Sequence, residues 1–460
     1  MSMHAASPLG KLRIAVIICC LVLIVCILGY AFLSNKNDSV SDKDDILSKI
    51  EEIGNEDYGY TYVSSYIKKY GISNINSYKM NAIESQLETD FYKALPDERV
   101  IAKSAVLCFI EYYYDSIDLN DKTAVTDSLL KCIFSSIGDP YAFYRTKEEF
   151  SEFIGSLQGG DEFVGIGVMI NQQTLEIQMV YPDSGAEAAG IRPKDILYAV
   201  DGVTADSVSN EEFVDLIKGE VNTTVKVTVK RAGELIDFTV TRKTLTEKTV
   251  LYRMEDDNVG YIQITQFLQK TATEFKEAVD FCEKNGAVAL VIDVRYNPGG
   301  LLNSVVDVID YLAPDSKDRR IGSYTQSGTE NIYYTKDTHS VDLPIAVICN
   351  EGTASAGELF TAAMRDYGEE GVLNTVVIGT TTYGKGVAQN SYTVYDMSGI
   401  TYTIGYFNPP SDVNFDGVGV IPDIEVEEVA EKDAPFEKAI DEVLKLTNKN
   451  STTIYIGAAA

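Results

Sequence analysis

Two short segments carry side chains whose types and spacing suit nucleophilic acyl chemistry. Ser355 stands in Gly352-Thr353-Ala354-Ser355-Ala356-Gly357-Glu358, where an apolar strand gives way to a helix. A hydroxyl there sits at a helix amino end, so free backbone N–H groups and the positive end of the helix dipole are available to an oxyanion. The same position suits a serine that only caps the helix, which is the commoner use of the residue. A nucleophilic serine also needs a base. The chain has only two histidines, His4 and His339, and His339 lies in the polar stretch Thr335 to Ser340, where it reads as a surface residue. Lysine is the remaining route, because an ε-amine among apolar groups loses affinity for its proton and can accept one from a hydroxyl near neutrality.

Lys385 meets that demand in Tyr383-Gly384-Lys385-Gly386. The flanking glycines allow close backbone approach to another segment and leave the lysine as the bulky polar group reaching inward. Gln389, four residues on, can accept from an ammonium and donate elsewhere, which would orient the amine. Taken alone, a glycine-flanked lysine also fits a solvated loop tip. Gly379 through Lys385 matches the phosphate-loop spacing GxxxxGK, but Gly386 stands where that motif needs Ser or Thr, and Val387 to Val394 reads as strand rather than helix. Asp412, Asn414, Asp416 and Gly417 imitate a calcium loop, yet its twelfth position is Asp423 after Pro422, so a plain Asx-rich turn is the better reading.

The elements that must position these groups can be read from periodicity. After residue 250 three apolar strands each run into a small-residue turn: Val288 to Val294 into Asn297-Pro298-Gly299-Gly300, Ile345 to Cys349 into Glu351 to Ala354, and Val376 to Gly379 into Thr380 to Gly386. Helices Leu301 to Leu312 and Ala356 to Met364 follow the first two, an α/β texture in which ligands meet the loops at the carboxyl ends of strands. A final helix from Asp433 carries Phe436, Ala439, Ile440, Val443 and Leu444 on one face. From 156 to 245 the pattern is short alternating strands (Gly165 to Ile170, Leu175 to Val180, Ile196 to Val200, Thr224 to Val229, Leu235 to Thr241), with a short helix at Asn210 to Ile217. Residues 34 to 155 read as a polar linker followed by helices such as Val100 to Tyr114.

Composition narrows the partners. Lys and Arg number 39 against 69 Asp and Glu, a net charge of −30, which repels phosphate backbones and makes nucleic acid a poor partner. Cys108, Cys132, Cys282 and Cys349 show no CxxC spacing, so they read as small buried hydrophobes, with two disulfides open to them. Ile14 to Leu33 is uncharged and long enough to cross a bilayer core of about 30 Å. Lys11 and Arg13 precede it and acids follow, so the positive-inside rule exports the rest of the chain. The expectation is a single-pass anchor with the catalytic part outside the cytoplasm; a cleaved signal peptide, and hence a secreted chain, is the alternative.

Together these segments resemble the carboxyl-terminal processing serine proteases, peptidase family S41. The resemblance rests on Gly138-Asp139-Pro140-Tyr141, Phe163-Val164-Gly165-Ile166-Gly167, Ser184-Gly185-Ala186, Asp293 to Leu301, Thr353 to Glu358, Gly384-Lys385-Gly386 with Gln389, and Gly419-Val420-Ile421-Pro422-Asp423, in that order. It implies that Ser355 is the nucleophile, Lys385 the general base and Gln389 the residue that orients it, with the N–H groups of Gly300 and Ala356 as oxyanion hole. It also implies a PDZ domain at 156–245 that takes a substrate's C-terminus as an added strand, with Val164, Gly165, Ile166 and Gly167 holding the terminal carboxylate. Lys218 before Gly219 and Asn408-Pro409-Pro410 depart from the family pattern.

The expected organisation is multidomain α+β: a cytoplasmic tail (1–13), a transmembrane helix (14–33), a linker and helical region (34–155), the PDZ domain (156–245), an α/β, crotonase- or ClpP-like peptidase core with its C-terminal helix (246–448) and a tail (449–460). The expected function is a membrane-anchored endopeptidase acting on proteins with free C-termini, needing no metal or organic cofactor, with homodimers through the terminal helices. A catalytically silent PDZ scaffold is the competing function. The small apolar end Ile456-Gly457-Ala458-Ala459-Ala460 suggests self-recognition by the PDZ domain, or simply a frayed terminus.

Overall fold

The computed structural model describes residues 41–53, 62–159, 162–170, 174–181, 183–246, 248–313, 318–336, 339–429 and 432–457. The expected anchor Ile14 to Leu33 and the last three residues lie outside them. Among the described residues no helix is long and apolar enough to cross a membrane. The described residues divide into two compact units: one of those up to Glu152 with Tyr324–Glu330 and Val387–Tyr406, the other of those in Phe153–Ser323, Asn331–Gly386 and from Phe407 on.

In the first unit, helices Lys43–Ile53, Val63–Lys69, Ser77–Asp90, Glu98–Tyr112 and Lys122–Ser136 bury their apolar faces in one core. Side-chain caps decide where they start. Asp97 accepts from the N–H of Arg99, so the helix expected at Val100 begins at Glu98, and Asp121 accepts from Thr123 and Ala124. A disulfide joins Cys108 to Cys132 across the last two helices, with Cα atoms 5.7 Å apart; Cys282 and Cys349, in the second unit, are buried free thiols. The strand pair Val387–Thr393 and Gly399–Asn408, expected in the peptidase core, falls mostly in this unit, because Ile400, Tyr402 and Ile404 are buried with Ile83, Val106, Phe109 and Leu129. Lys79 is only 3% exposed and bonds Asp127 at 2.9 Å, Asp396 at 2.6 Å and the Tyr144 hydroxyl at 2.6 Å, so its buried charge is fully paired. Burial disfavours that charge, but Asp396, Tyr144 and Asp127 outweigh it and hold the ammonium above its ordinary range.

The second unit begins at Phe153, within helix Lys147–Gln158, and continues into the PDZ-like part. Four antiparallel strands run in the order Val203–Thr204, Ile196–Val200, Thr224–Arg231, Glu234–Thr241, and two short pairs, Glu162–Gly165 with Lys243–Thr246 and Val168–Ile170 with Ile177–Val180, complete it. Alternation buries Val225, Val227, Val229 and Val240 against Ile166, Leu197 and Phe213. The expected strand Gly165 to Ile170 is two strands, broken where Gly167 takes φ +82°.

The α/β part is a six-stranded sheet in the order Val250–Met254, Val259–Ile264, Ala289–Asp293, Ile345–Cys349, Thr375–Gly379, Ile424–Glu425, parallel except for the first edge strand. Ala289, Val291, Ala346 and Ile348 bury one face against Ala439 and Val443 of the last helix, Ala434–Gly457. That helix runs past the expected end at 448, since neither glycine nor proline intervenes between Pro435 and Gly457. Helices Thr271–Lys284, Leu302–Leu312 and Ala356–Glu369 accompany the sheet strands. The three central strands are adjacent and in parallel register, with Asp293 opposite Ile348 and Cys349 opposite Gly379, so the loops that follow them emerge at one edge.

Candidate active site

Ser355 occupies the tight turn between strand Ile345–Cys349 and helix Ala356–Glu369, with φ 54° and ψ −117°. Such a backbone costs a residue with a side chain on the order of 1–3 kcal/mol and persists only where neighbours enforce it. Glu358, completely buried, is the enforcer. Its Oε2 accepts the N–H of Ser355 at 2.9 Å and the N–H of Lys385 at 2.7 Å. Its Oε1 accepts the N–H of Gly384 at 2.6 Å and the Thr382 hydroxyl at 2.6 Å. Two nitrogens bonded to one oxygen at 2.9 and 2.7 Å lie at most 5.6 Å apart, so one carboxylate joins the serine turn to the lysine loop. Charge-assisted bonds of this kind are about twice as strong as neutral ones.

The loop after strand Ala289–Asp293 packs directly on the serine. A Cβ at Gly299 (φ +98°) would fall 2.7 Å from the Ser355 Cβ and 2.8 Å from the Ala356 nitrogen, so only glycine fits. Gly300 is pressed equally hard against the Phe267 carbonyl, in a parallel bridge made by Phe267 N–H to Gly299 and Leu301 N–H to Phe267. Asn297, fully buried, holds both loops. Its side chain donates to the Ile264 carbonyl at 2.8 Å and accepts from Gly299 N–H at 2.8 Å, and its own carbonyl accepts from Ala354 N–H at 2.8 Å. Thr353 adds a bond from its hydroxyl to the Val294 carbonyl at 2.8 Å and accepts Tyr383 N–H on its carbonyl at 3.0 Å. Gly299 is thereby held against Ser355 and Ala356, and among the described residues neither the Gly300 nor the Ala356 N–H donates to another backbone group outside regular helices and strands.

The glycines around Lys385 do what their lack of a Cβ permits. A Cβ at Gly384 (φ +93°) would lie 3.1 Å from the Val418 and Gly419 nitrogens, and one at Gly386 would lie 2.7 Å from the Asn414 amide oxygen and the Asp416 nitrogen. The calcium-like segment is the buttress of this loop: Asn414 donates to the carbonyls of Gly386 and Phe407 at 3.0 and 2.7 Å, and Asp416 accepts Gly386 N–H at 3.1 Å. Lys385 itself is half-buried, so the solvated loop tip is not what the structure shows. Gln389 belongs to the first unit, on strand Val387–Thr393, where its amide nitrogen donates to the Val387 carbonyl at 2.9 Å and to the Thr403 hydroxyl at 3.4 Å.

In the PDZ-like part, Val164 and Gly165 pair with Thr244 and Lys243. Buried Ile166 accepts Ala186 N–H at 2.8 Å, and the Gly167 carbonyl accepts Tyr181 N–H at 2.9 Å. The strand Val168–Ile170 that follows pairs only with Ile177–Val180 among the described strands, which leaves one edge open.

Sequence reasoning assigned no role to Glu358, Asn297 or Thr353. The spacing Ser355-x-x-Glu358 is the capping-box signature and could have marked the first of these. It also gave His339 to the surface, whereas the ring stacks on Tyr311 at 3.7 Å with Nδ1 2.8 Å from the Tyr311 carbonyl and is half-buried. Arg295 ties the strand end at Asp293 (2.6 Å) to Asp433 before the last helix (2.7 Å); burial opposes its charge, but Asp293 and Asp433 hold it firmly protonated. Burial, then Glu428, pushes the Tyr296 phenol up to about 12, and burial pushes the Cys349 thiol up to about 12, so neither is a base or nucleophile near neutrality.

Comparison with known proteins agrees with this geometry. The profile of peptidase family S41 matches residues 258–426, and that of the PDZ domain matches residues 176–231. A probable CtpA-like serine protease of Staphylococcus haemolyticus is 33% identical over 69% of this chain and 64% of its own length. The carboxy-terminal processing protease CtpA of Bacillus subtilis is 31% identical over 71% of this chain and 64% of its own length. A probable CtpA-like serine protease of Staphylococcus aureus is 30% identical over 87% of this chain and 75% of its own length. The chain thus spans just under two thirds of the first two relatives and three quarters of the third. With catalytic-loop motifs, PDZ match and overall similarity in agreement, the chain belongs to the carboxyl-terminal processing proteases of serine peptidase family S41.

Proposed function

We propose that this protein is a membrane-anchored serine endopeptidase of the extracytoplasmic space that binds the C-termini of proteins through its PDZ domain and cleaves nearby peptide bonds. The observation that carries the proposal is the buried Glu358 carboxylate bonded to the N–H groups of both Ser355 and Lys385. In the proposed reaction Ser355 Oγ attacks the peptide carbonyl carbon while Lys385 Nζ takes the hydroxyl proton. The N–H groups of Gly300 and Ala356 stabilise the oxyanion, each donor being worth about 3 kcal/mol. Collapse breaks the C–N bond, and Lys385 passes its proton to the leaving amine. Water, losing a proton to Lys385 Nζ, then attacks the acyl carbon; the bond from that carbon to Ser355 Oγ breaks, and Lys385 returns the proton to Ser355 Oγ. Gln389 orients the amine by accepting one of its hydrogens. No metal or organic cofactor enters this scheme.

The open edge of strand Val168–Ile170 supports capture of a peptide as an added strand, with Val164 to Gly167 at its terminal carboxylate. Placement outside the cytoplasm is supported by the Cys108–Cys132 disulfide, a bond that persists in oxidising compartments, and by the uncharged run Ile14 to Leu33 after Lys11 and Arg13. Pairing of two chains through the terminal helices belongs to the same proposal. Degradation of casein tests the chemistry: Ser355→Ala abolishes it, and so does Lys385→Arg, because arginine keeps the charge but cannot deprotonate. A Lys385→Arg variant cleaving at the wild-type rate sinks the general-base role, and an inactive wild-type chain that still binds C-terminal peptides favours the silent scaffold.

A further inference from the structure

The segment Gly138-Asp139-Pro140-Tyr141 stands out in the sequence, yet the proposed reaction gives it no part. Asp139 is 5% exposed. Its Oδ2 accepts the N–H of Thr403 at 2.9 Å, and its Oδ1 accepts the Thr403 hydroxyl at 3.2 Å and the N–H of Tyr141 at 3.0 Å. Thr403 is the cross-strand partner of Gln389, just beyond the irregularity between Ala388 and Gln389, and its hydroxyl meets the Gln389 amide nitrogen at 3.4 Å. We infer that Asp139 is a positioning residue that acts through Thr403 to fix which end of the Gln389 amide is presented to the general base.

A hydroxyl has one proton and a carboxylate only accepts, so the Thr403 proton is committed to Asp139 and the Thr403 oxygen can only accept from Gln389. The Val387 carbonyl, 2.9 Å from the same nitrogen, makes the same demand. Both neighbours therefore require the NH2 end of the amide, and Oε1 is left facing away from them. An amide oxygen can accept from a lysine amine, whereas an amide turned the other way offers only donors to a donor. Without Asp139 the Thr403 hydroxyl is free to donate, and one of the two constraints on the amide is gone. Asp139 lies 264 residues from Thr403 in the chain, so this is a tertiary device.

The inference rests on the peptidase reading, and its test separates the two. The full chain is assayed on an unfolded protein as wild type, Ser355→Ala, Thr403→Val, Thr403→Ser, Asp139→Asn, Gln389→Ala and the doubles of Gln389→Ala with the Thr403→Val and Asp139→Asn changes. Thr403→Val should lower kcat about five- to tenfold, the worth of one ordinary hydrogen bond, with KM within about twofold. Thr403→Ser should restore kcat, Asp139→Asn should lower it at least as much as Thr403→Val, and neither change should lower kcat further once Gln389 is alanine. A wild-type kcat in Thr403→Val, no rescue by serine, or losses that multiply with that of Gln389→Ala would overturn the inference while Ser355→Ala remains inactive. If Ser355→Ala cleaves like wild type, the peptidase reading itself falls and this role with it. Should Asp139→Asn fail to fold, the two Thr403 variants and their Gln389 double decide.

Discussion

Glu358 and Asp139 are two buried carboxylates that do similar work in different units of the molecule. Glu358 gathers four donors, from Ser355, Thr382, Gly384 and Lys385, and Asp139 gathers three, two of them from Thr403. Each exploits the same physics: a carboxylate accepts several bonds at once, and backbone N–H groups left without it would be buried and unpaired. They differ in reach. Glu358 touches the segments that hold the proposed nucleophile Ser355 and the proposed base Lys385, whereas Asp139 reaches a proposed orienting residue through an intervening hydroxyl. Direct clamps on reacting segments should therefore cost more to remove than indirect ones.

Glu358→Ala is the severest test of that ranking. It should lower unfolding free energy by roughly 3–5 kcal/mol, since several buried donors lose their partner, and cut kcat/KM by more than about a hundredfold in protein that remains folded at low temperature. Denaturant titration beside steady-state kinetics reads both quantities; an Asp139→Ala variant that loses more activity than Glu358→Ala would invert the ranking. Gly299→Ala comes next. The added methyl displaces Ser355 or Ala356, so kcat should fall about a hundredfold while KM stays nearly constant, and a normal kcat would show that this loop does not serve the oxyanion.

The first unit offers two milder tests. Replacing Cys108 and Cys132 by serine should lower stability by about 3 kcal/mol, as expected for a disulfide closing a loop of this length, with kcat at low temperature little changed; unchanged stability would mean the bond does not form. The smallest effect concerns Glu84, which burial, with Glu88 and Glu98, raises to about 8 against the bonded Val63 N–H, from an ordinary 4.5. The folded chain holds this proton where the unfolded chain has released it. The associated stability is complete below about pH 4.5 and is lost as pH rises through about 8. Denaturation midpoints at pH 6 and pH 9 should differ in that direction, and Glu84→Gln should shrink the difference; a pH response unaltered in that variant would assign it to other groups.

The contrast between the two carboxylates also explains what could be read from the chain. Ser355 and Glu358 are three residues apart, and Lys385 lies between glycines that only a close approach demands, so local spacing advertised that part of the site. The three central strands and their loops were equally legible, because buried parallel strands are continuous apolar runs. The motif around Asp139 is visible in the sequence, but its partnership with Thr403 is not, since that pairing exists only once the Val387–Thr393 and Gly399–Asn408 hairpin packs on the helices of the first unit. The same tertiary packing places Gln389 in the first unit, against the expectation of one contiguous peptidase core from 246 to 448. The partnership of Cys108 with Cys132 was undecidable for the same reason: spacing does not reveal which helices pack.

The central claim is that Ser355 and Lys385 form one catalytic pair. It is tested most directly by mass spectrometry of the products from one defined unfolded protein, offered with a free or an amidated C-terminus to wild type and to Lys385→Arg. The account predicts defined internal cleavage products from the free-ended substrate with wild type, fewer from the amidated one, and none with Lys385→Arg. The same product ions appearing at the same rate from Lys385→Arg would contradict it.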